Sequence, residues 1–148
     1  MQPPQSFEIP ENLYYEPTHH LWAKKEPETG RIIVGIDMFG LYAIGDLAFL
    51  AMPEVGTAVK KGEAVGTLEA AKMTSELHTP VSGIAIGRNE KVLKDPYLVN
   101  QKPYTGGWLF SIDPSEWERE KSELVSGAAI QPWVEAETKR YQEQGLVE

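Results

Sequence analysis

The chain contains no cysteine. That absence excludes disulfides, thiolate-held metals and a cysteine nucleophile together, so redox chemistry must come from a bound or attached group. No apolar run approaches the roughly 18 residues that a membrane span requires. Positive charge is scarce: 14 Lys and Arg stand against 22 Asp and Glu, a formal net charge of -8. Nucleic-acid binding needs a basic face and is not expected. The opening Met1-Gln2-Pro3-Pro4-Gln5 has neither a basic n-region nor an apolar h-region, so the chain reads as cytoplasmic, with no secretory signal and no membrane attachment. A Gly-rich phosphate loop, a catalytic triad and metal-ligand spacing are also missing. The chain is not expected to be an enzyme in its own right.

What is present suits one soluble folded domain. The 148 residues are 41% hydrophobic and 24% charged, within the ordinary range for a globular chain. The acidity favours steering toward basic partners. Residues 1–17, with Pro3, Pro4, Pro10 and Pro17, read as an arm anchored by Leu13, Tyr14 and Tyr15. From 18 to 112, short apolar runs are punctuated by Gly, Pro and Asn, the pattern of a mainly β domain. Ile32–Ile36, Ala48–Ala51, Ile84–Ile86 and Trp108–Ile112 are the clearest strands, with short helical pieces at Phe39–Ala43 and after Asp95-Pro96. Residues 113–148 change character. Asp113 reads as an N-cap and Pro114 as the first helical residue of a helix to about Val125. Pro132 then opens a second helix that ends near Gln144, with Gly145 as its stop. Trp117, Leu124, Trp133 and Tyr141 are expected to pack these helices on the β core.

The most informative feature is an internal repeat. Pro53-Glu54-Val55-Gly56-Thr57-Ala58-Val59-Lys60-Lys61-Gly62-Glu63 matches Pro80-Val81-Ser82-Gly83-Ile84-Ala85-Ile86-Gly87-Arg88-Asn89-Glu90. Pro, Gly, Ala, a β-branched residue, a basic residue and Glu recur in register. Gly62 and Asn89 both tolerate positive φ, so the same left-handed turn is expected at each. Two similar β units imply a sandwich with approximate two-fold symmetry. Between them lies Val65–Leu77, read as two strands joined by a tight turn at Ala70 to Met73. No Gly or Asn sits at that tip, so type I geometry suffices. Lys72 stands on the turn, where Ala70 and Ala71 leave it reachable by a modifying enzyme. Glu69 and Glu76 flank it as recognition candidates. A lysine on a hairpin tip is ordinarily a solvated charge; the repeat is what singles this one out.

These residues resemble a known family. Gly45-Asp46-Leu47, Pro53–Gly56, Val59–Glu63, Glu69-x-x-Lys72, Pro80–Gly83, Asn89-Glu90, Asp95–Asn100 and Pro103–Leu109 are together similar to the glycine cleavage system H protein. The resemblance covers roughly residues 19 to 112. It implies a hybrid barrel-sandwich fold with C-terminal helices, and a lipoate covalently attached to Lys72. Glu69, Ala71, Met73 and Glu76 then surround the attachment point as ligase-recognition or arm-contacting residues. The lipoyl arm would shuttle electrons or a bound group between separate enzymes by disulfide exchange, and tethering would raise its effective concentration at each. Implied partners are a lipoate ligase or lipoyl-assembly enzymes, dihydrolipoamide dehydrogenase, and glycine decarboxylase with aminomethyltransferase. A monomer is expected of a carrier that visits several enzymes.

Two departures from the family pattern matter. Its tip usually reads Glu-Ser-Val-Lys-Ala; here it is Glu69-Ala70-Ala71-Lys72-Met73. Met after the lysine is shared with biotin carriers, yet Ala71 breaks their Met-Lys-Met and the Asp95–Trp108 block is foreign to them. Ile9–Tyr15, His19-His20-x-Trp22-Ala23 and Leu124–Ala129 are similar to the H-protein-like lipoate-binding proteins of sulfur oxidation. That likeness implies a heterodisulfide-reductase-like complex as partner and oxidisable sulfur as cargo, with the aminomethyl group of glycine as the alternative. A biotinyl carrier or an unmodified adaptor are further alternatives. His19 and His20, adjacent on an expected strand, point to opposite faces and read as structural or edge residues. His78 reads as a surface histidine, and Asp37 and Asp46 as solvated acids.

Overall fold

The β-branched run Ile32-Ile33-Val34 forms the strand on which the architecture is built. The computed structural model describes residues 8–146. Residues 1–7, with Pro3 and Pro4 of the expected arm, and 147–148 lie outside the described part. Three strands open the chain, β1 (Tyr14–Glu16), β2 (Leu21–Lys25) and β3 (Ile32–Ile36), followed by α1 (Met38–Ile44). Strands β4 (Leu47–Ala51), β5 (Ala58–Val59), β6 (Ala64–Ala70), β7 (Thr74–His78) and β8 (Gly83–Arg88) come next. Two short helices, α2 (Glu90–Lys94) and α3 (Tyr97–Gln101), lead to β9 (Phe110–Pro114). The chain ends in α4 (Trp117–Glu120) and α5 (Ile130–Glu143). The fold is mainly β with C-terminal helices, as the sequence pattern predicts.

All strand pairs are antiparallel. They form a six-stranded sheet in the order β1-β2-β3-β9-β8-β5 and a three-stranded sheet in the order β4-β6-β7. One apolar core joins them. Ile32, Val34 and Ile112 from the larger sheet share it with Leu50, Leu68 and Leu77 from the smaller. Every residue of β3 is buried. Its second face lies under a separate cluster in which Ile33 meets Tyr15, Trp22 and Ile130. Burial on both faces explains why this run is continuously apolar rather than alternating. Gly35 is required there, because it sits opposite Trp22 and a Cβ would come within 2.2 Å of the indole.

The repeat has a direct structural counterpart. Ala58 pairs with Ile84, and Ala85 donates its N–H to the carbonyl of Thr57 at 2.8 Å. The repeat carries Ala58 onto Ala85 and Thr57 onto Ile84, so each contact maps onto the other. The two units therefore meet across a local two-fold axis at β5 and β8, and the β6–β7 hairpin is the segment that links them.

Several expectations are corrected. Tyr14–Glu16 belongs to the sheet as β1 rather than to an arm, with Tyr15 also bonded to Val125. Asp113 and Pro114 do not start a helix: they finish β9, opposite Ile84 and Gly83. Sheet pairing overrides the capping signal, and α4 starts only at Trp117 and tightens into a 3-10 turn at Lys121–Glu123. Helix α5 starts at Ile130, so Pro132 falls within the first turn, where a missing N–H leaves no helical bond unmade. Gly145, with φ 74°, follows its end as expected. Gly62 has φ 85°, but Asn89 has φ -79°. Asn89 caps α2 instead, its side chain accepting from the Lys91 N–H, so the two turns differ in hand.

Candidate functional site

The site is built on the β6–β7 hairpin. Glu69 pairs with Thr74, and the Ala70 N–H donates to the Met73 carbonyl at 3.0 Å, leaving Ala71 and Lys72 as the turn. Among the described non-glycine residues only His20 has positive φ, so the tip needs no left-handed residue. This hairpin tip is tied down. The Ala71 N–H donates to Asp46 O and the Lys72 N–H to Ile44 O, both at 2.9 Å. Both carbonyls lie at the corner where α1 turns into β4. Gly45 makes that corner, with φ 87°, and a Cβ on it would lie 3.2 Å from Lys72 Cγ. Asn100 on α3 holds the corner from the other side, donating to Gly45 O at 3.1 Å and accepting from the Leu47 N–H at 2.8 Å.

Lys72 is exposed. Its ammonium donates to Tyr42 O at 2.9 Å and lies 4.8 Å from the centroid of the Tyr42 ring. Ala71 and Met73 are exposed beside it, Met73 at 48%. Leu68 and Leu77 point into the core, which turns Glu69 and Glu76 outward, and both are exposed. The hairpin thus gathers Lys72, Ala71 and Met73 at its tip and sets the two acids on its flanks. Sequence reasoning missed Tyr42 and Ile44, and took Gly45 only as part of the family-like run. That glycine, closing a short helix at the start of Gly45-Asp46-Leu47, was the one available signal.

Beside the tip opens a cavity of about 160 Å³. Its apolar lining includes Leu21, Ile36, Ala43, Ile44, Leu68 and Met73, and its polar lining is Thr18, His19, His20, Ser75, Glu76 and His78. His19 and His78 stack, ring centroids 3.7 Å apart and 15° from parallel. His78 is therefore part of a pair rather than a lone surface histidine. Burial lowers the His19 pKa and the neighbouring His78 adds to this, while Glu16 opposes it. The neutral imidazole is the favoured form.

His20 and Asp37 depart from expectation together. His19 and His20 sit in a turn before β2 rather than on a strand. Asp37 is fully buried, not solvated: it caps α1, accepting from the Gly40 N–H at 2.9 Å. His20 Nδ1 lies 3.4 Å from Asp37, and Nε2 lies 2.6 Å from Glu137 on α5. Arg140 donates to both oxygens of Glu137. Burial alone would lower the His20 pKa, but the hydrogen bond and charge of Asp37, with the charge of Glu137, raise it. Glu137 is lowered, Arg140 and His20 outweighing the effect of burial. Tyr141 donates to Phe39 O at 2.8 Å. Helix α5 therefore grips α1, and α1 carries the groups that hold Lys72. Asp46 is exposed, as expected.

Comparison with known proteins adds the decisive observation: the glycine cleavage H-protein family model matches residues 13–137. The chain belongs to this H-protein family. It is 38% identical over 128 residues to the glycine cleavage system H protein of Anaeromyxobacter sp. (strain K), which spans 86% of this chain and 97% of that protein. It is also 38% identical over 130 residues to a glycine cleavage system H protein of Thermus thermophilus, 88% of this chain and 98% of that one. A crystal structure of the Mycobacterium marinum H protein matches with a TM-score of 0.67 and 36% identity, covering 72% of this chain and 87% of that one. The hybrid barrel-sandwich expectation agrees with that likeness. No helix among the described residues is long and apolar enough to cross a membrane.

Proposed function

We propose that this H-protein-family chain is a non-catalytic lipoyl carrier whose attachment point is Lys72. The observation that carries the reading is the placement of one exposed amine at the bend linking two symmetry-related β units. The surroundings fit the group: the amine is open to a modifying enzyme, and the cavity next to it has an apolar wall suited to an alkyl chain and a dithiolane. When bound, a lipoyl group supplies a ring disulfide that exchanges with thiols and takes up electrons or a carried group. The chain's own residues hold and present it. Ile44 and Asp46 fix the turn, Leu68, Ile44 and Met73 offer apolar surface, and Glu69 and Glu76 flank the approach.

The named relatives support glycine cleavage as the pathway, in preference to sulfur oxidation, which the sequence pattern favours. Glycine decarboxylase, aminomethyltransferase and dihydrolipoamide dehydrogenase are then the partners, after a lipoate ligase or lipoyl-assembly enzymes. One observation favours the sulfur reading as a second: the cavity is lined by three histidines, His19, His20 and His78, the first and last of them stacked, and by the single carboxylate of Glu76. An aminomethyl cation calls for acids; a sulfur cargo is compatible with imidazoles.

Intact-mass measurement of protein from its native host tests the carrier reading. A lipoyl increment that vanishes in Lys72→Arg supports it. A biotin increment, an unmodified mass, or an increment retained in the variant overturns it. Incubating the lipoylated protein with glycine and glycine decarboxylase decides the pathway, since ready methylamine loading excludes the sulfur cargo.

A further inference from the structure

The unmodified lysine does not hang free at its tip. Its ammonium rests on the last turn of α1, against one carbonyl and one ring face, both belonging to Tyr42. The backbone N–H of the same lysine is bonded two residues further on, at Ile44 O. The final carbonyls of a helix have no helical partner and take donors from elsewhere. Here Tyr42 O is met by the Lys72 ammonium, Ile44 O by the Lys72 N–H and, just past the helix, Gly45 O by Asn100. Tyr42 is buried and packs with Phe39 and Tyr141.

We infer that Tyr42 forms a seat that holds Lys72 only while it is unmodified, and releases the side chain once it is acylated. This positioning role rests on the carrier reading. A ring face attracts a cation through its quadrupole, and a carbonyl accepts more strongly from a charged donor than from a neutral one. Acylation replaces the ammonium, with three donors and a positive charge, by a neutral amide with one N–H. The attraction to the ring is lost and the hydrogen bond weakens. Because both seat groups are uncharged, no buried carboxylate is left unpaired when the lysine departs. The seat thus keeps an unmodified lysine ordered near the cavity mouth and frees the tether when it carries its group. Its cost is that a modifying enzyme must first lift the amine from Tyr42.

Chemical acylation tests the seat without any partner enzyme. An acetyl N-hydroxysuccinimide ester reacts with the deprotonated amine: nitrogen bonds to the acyl carbon, N-hydroxysuccinimide leaves with the bonding pair, and the proton passes to solvent. Peptide mass spectrometry compares the rate at Lys72 with those at exposed Lys60 and Lys91 in the same molecule. In Tyr42→Leu the Lys72 rate, relative to those references, should rise about two- to fivefold, matching the attraction of an exposed cation to a ring. Tyr42→Phe, which retains ring and carbonyl, should leave the ratio unchanged. An equal ratio in wild type and Tyr42→Leu overturns the proposal. If Tyr42→Leu fails to fold, the wild-type chain still decides. Its Lys72 ε-methylene protons, next to the ammonium that lies over the ring, should be shifted upfield of ordinary lysine and take ordinary acetyl-lysine values on acetylation; ordinary positions in both forms sink the seat. A lipoate ligase that leaves Lys72 untouched refutes the carrier reading instead, and does not alter these results.

Discussion

At the scale of single residues, the positions that matter most are those where a side chain has no room to differ. Gly35 lies flat against Trp22, whose indole N–H is fixed by Pro103 O at 3.0 Å. A methyl group there displaces a buried ring, and overpacking of this kind costs about 1–3 kcal/mol. Gly35→Ala should lower the urea midpoint with the slope unchanged. His20 shows a different constraint. Its pKa is raised in the folded state, so its stabilising effect is complete below the unfolded value of 6.5 and is lost as pH rises through the folded value. His19 is lowered and acts in the opposite sense, weakening the fold as pH falls. Denaturation of wild type and His20→Asn across pH 5 to 9 isolates the first effect. Asn tolerates the positive φ of this position. The stability difference between the two proteins should shrink from acid to alkaline pH; a constant difference rejects the His20 assignment.

At the scale of elements, the hairpin tip owes its position to its neighbours rather than to its own sequence. Helix α3 acts on it through Asn100, which bridges Gly45 O and the Leu47 N–H. Asn100→Ala leaves two backbone groups without their partner, at about 1–3 kcal/mol. The loss should appear as a lower Tm together with faster hydrogen exchange at the Ala71 and Lys72 amides, which are bonded to the same corner. Helix α5 acts at longer range through Tyr141 and Phe39 O. Tyr141→Phe removes that hydrogen bond while keeping the ring, and should cost about 1 kcal/mol in chemical denaturation. The elements most visible in the sequence are a continuous β-branched apolar run, β3, and a segment marked by the repeat, β8. Asp113-Pro114 misleads because capping chemistry is local, whereas pairing with β8 is decided by residues some thirty positions away.

At the scale of the whole molecule, the net charge of -8 sets the long-range behaviour. Like charges repel in the folded state, and attraction to a basic partner weakens as salt shortens the screening length to about 8–10 Å near physiological strength. On the carrier reading, binding of the acidic chain to a lipoate ligase with a basic docking face should slow as sodium chloride is raised from 20 to 300 mM, with the change in the association rate. A salt-independent association rate means that the charge does no steering.

The amino-acid sequence by itself determined the class of this protein. The absence of cysteine removed thiol chemistry, the repeat set two β units in tandem, and Lys72 stood between them. These are statements about composition and local order, which a linear chain carries in full. Tertiary structure alone decided where the lysine rests and what surrounds it. The Tyr42 seat, the stacked His19 and His78, and the buried His20, Asp37 and Glu137 each join segments far apart in the chain. Such contacts depend on how sheets and helices pack, and no spacing of residue types along the chain encodes them.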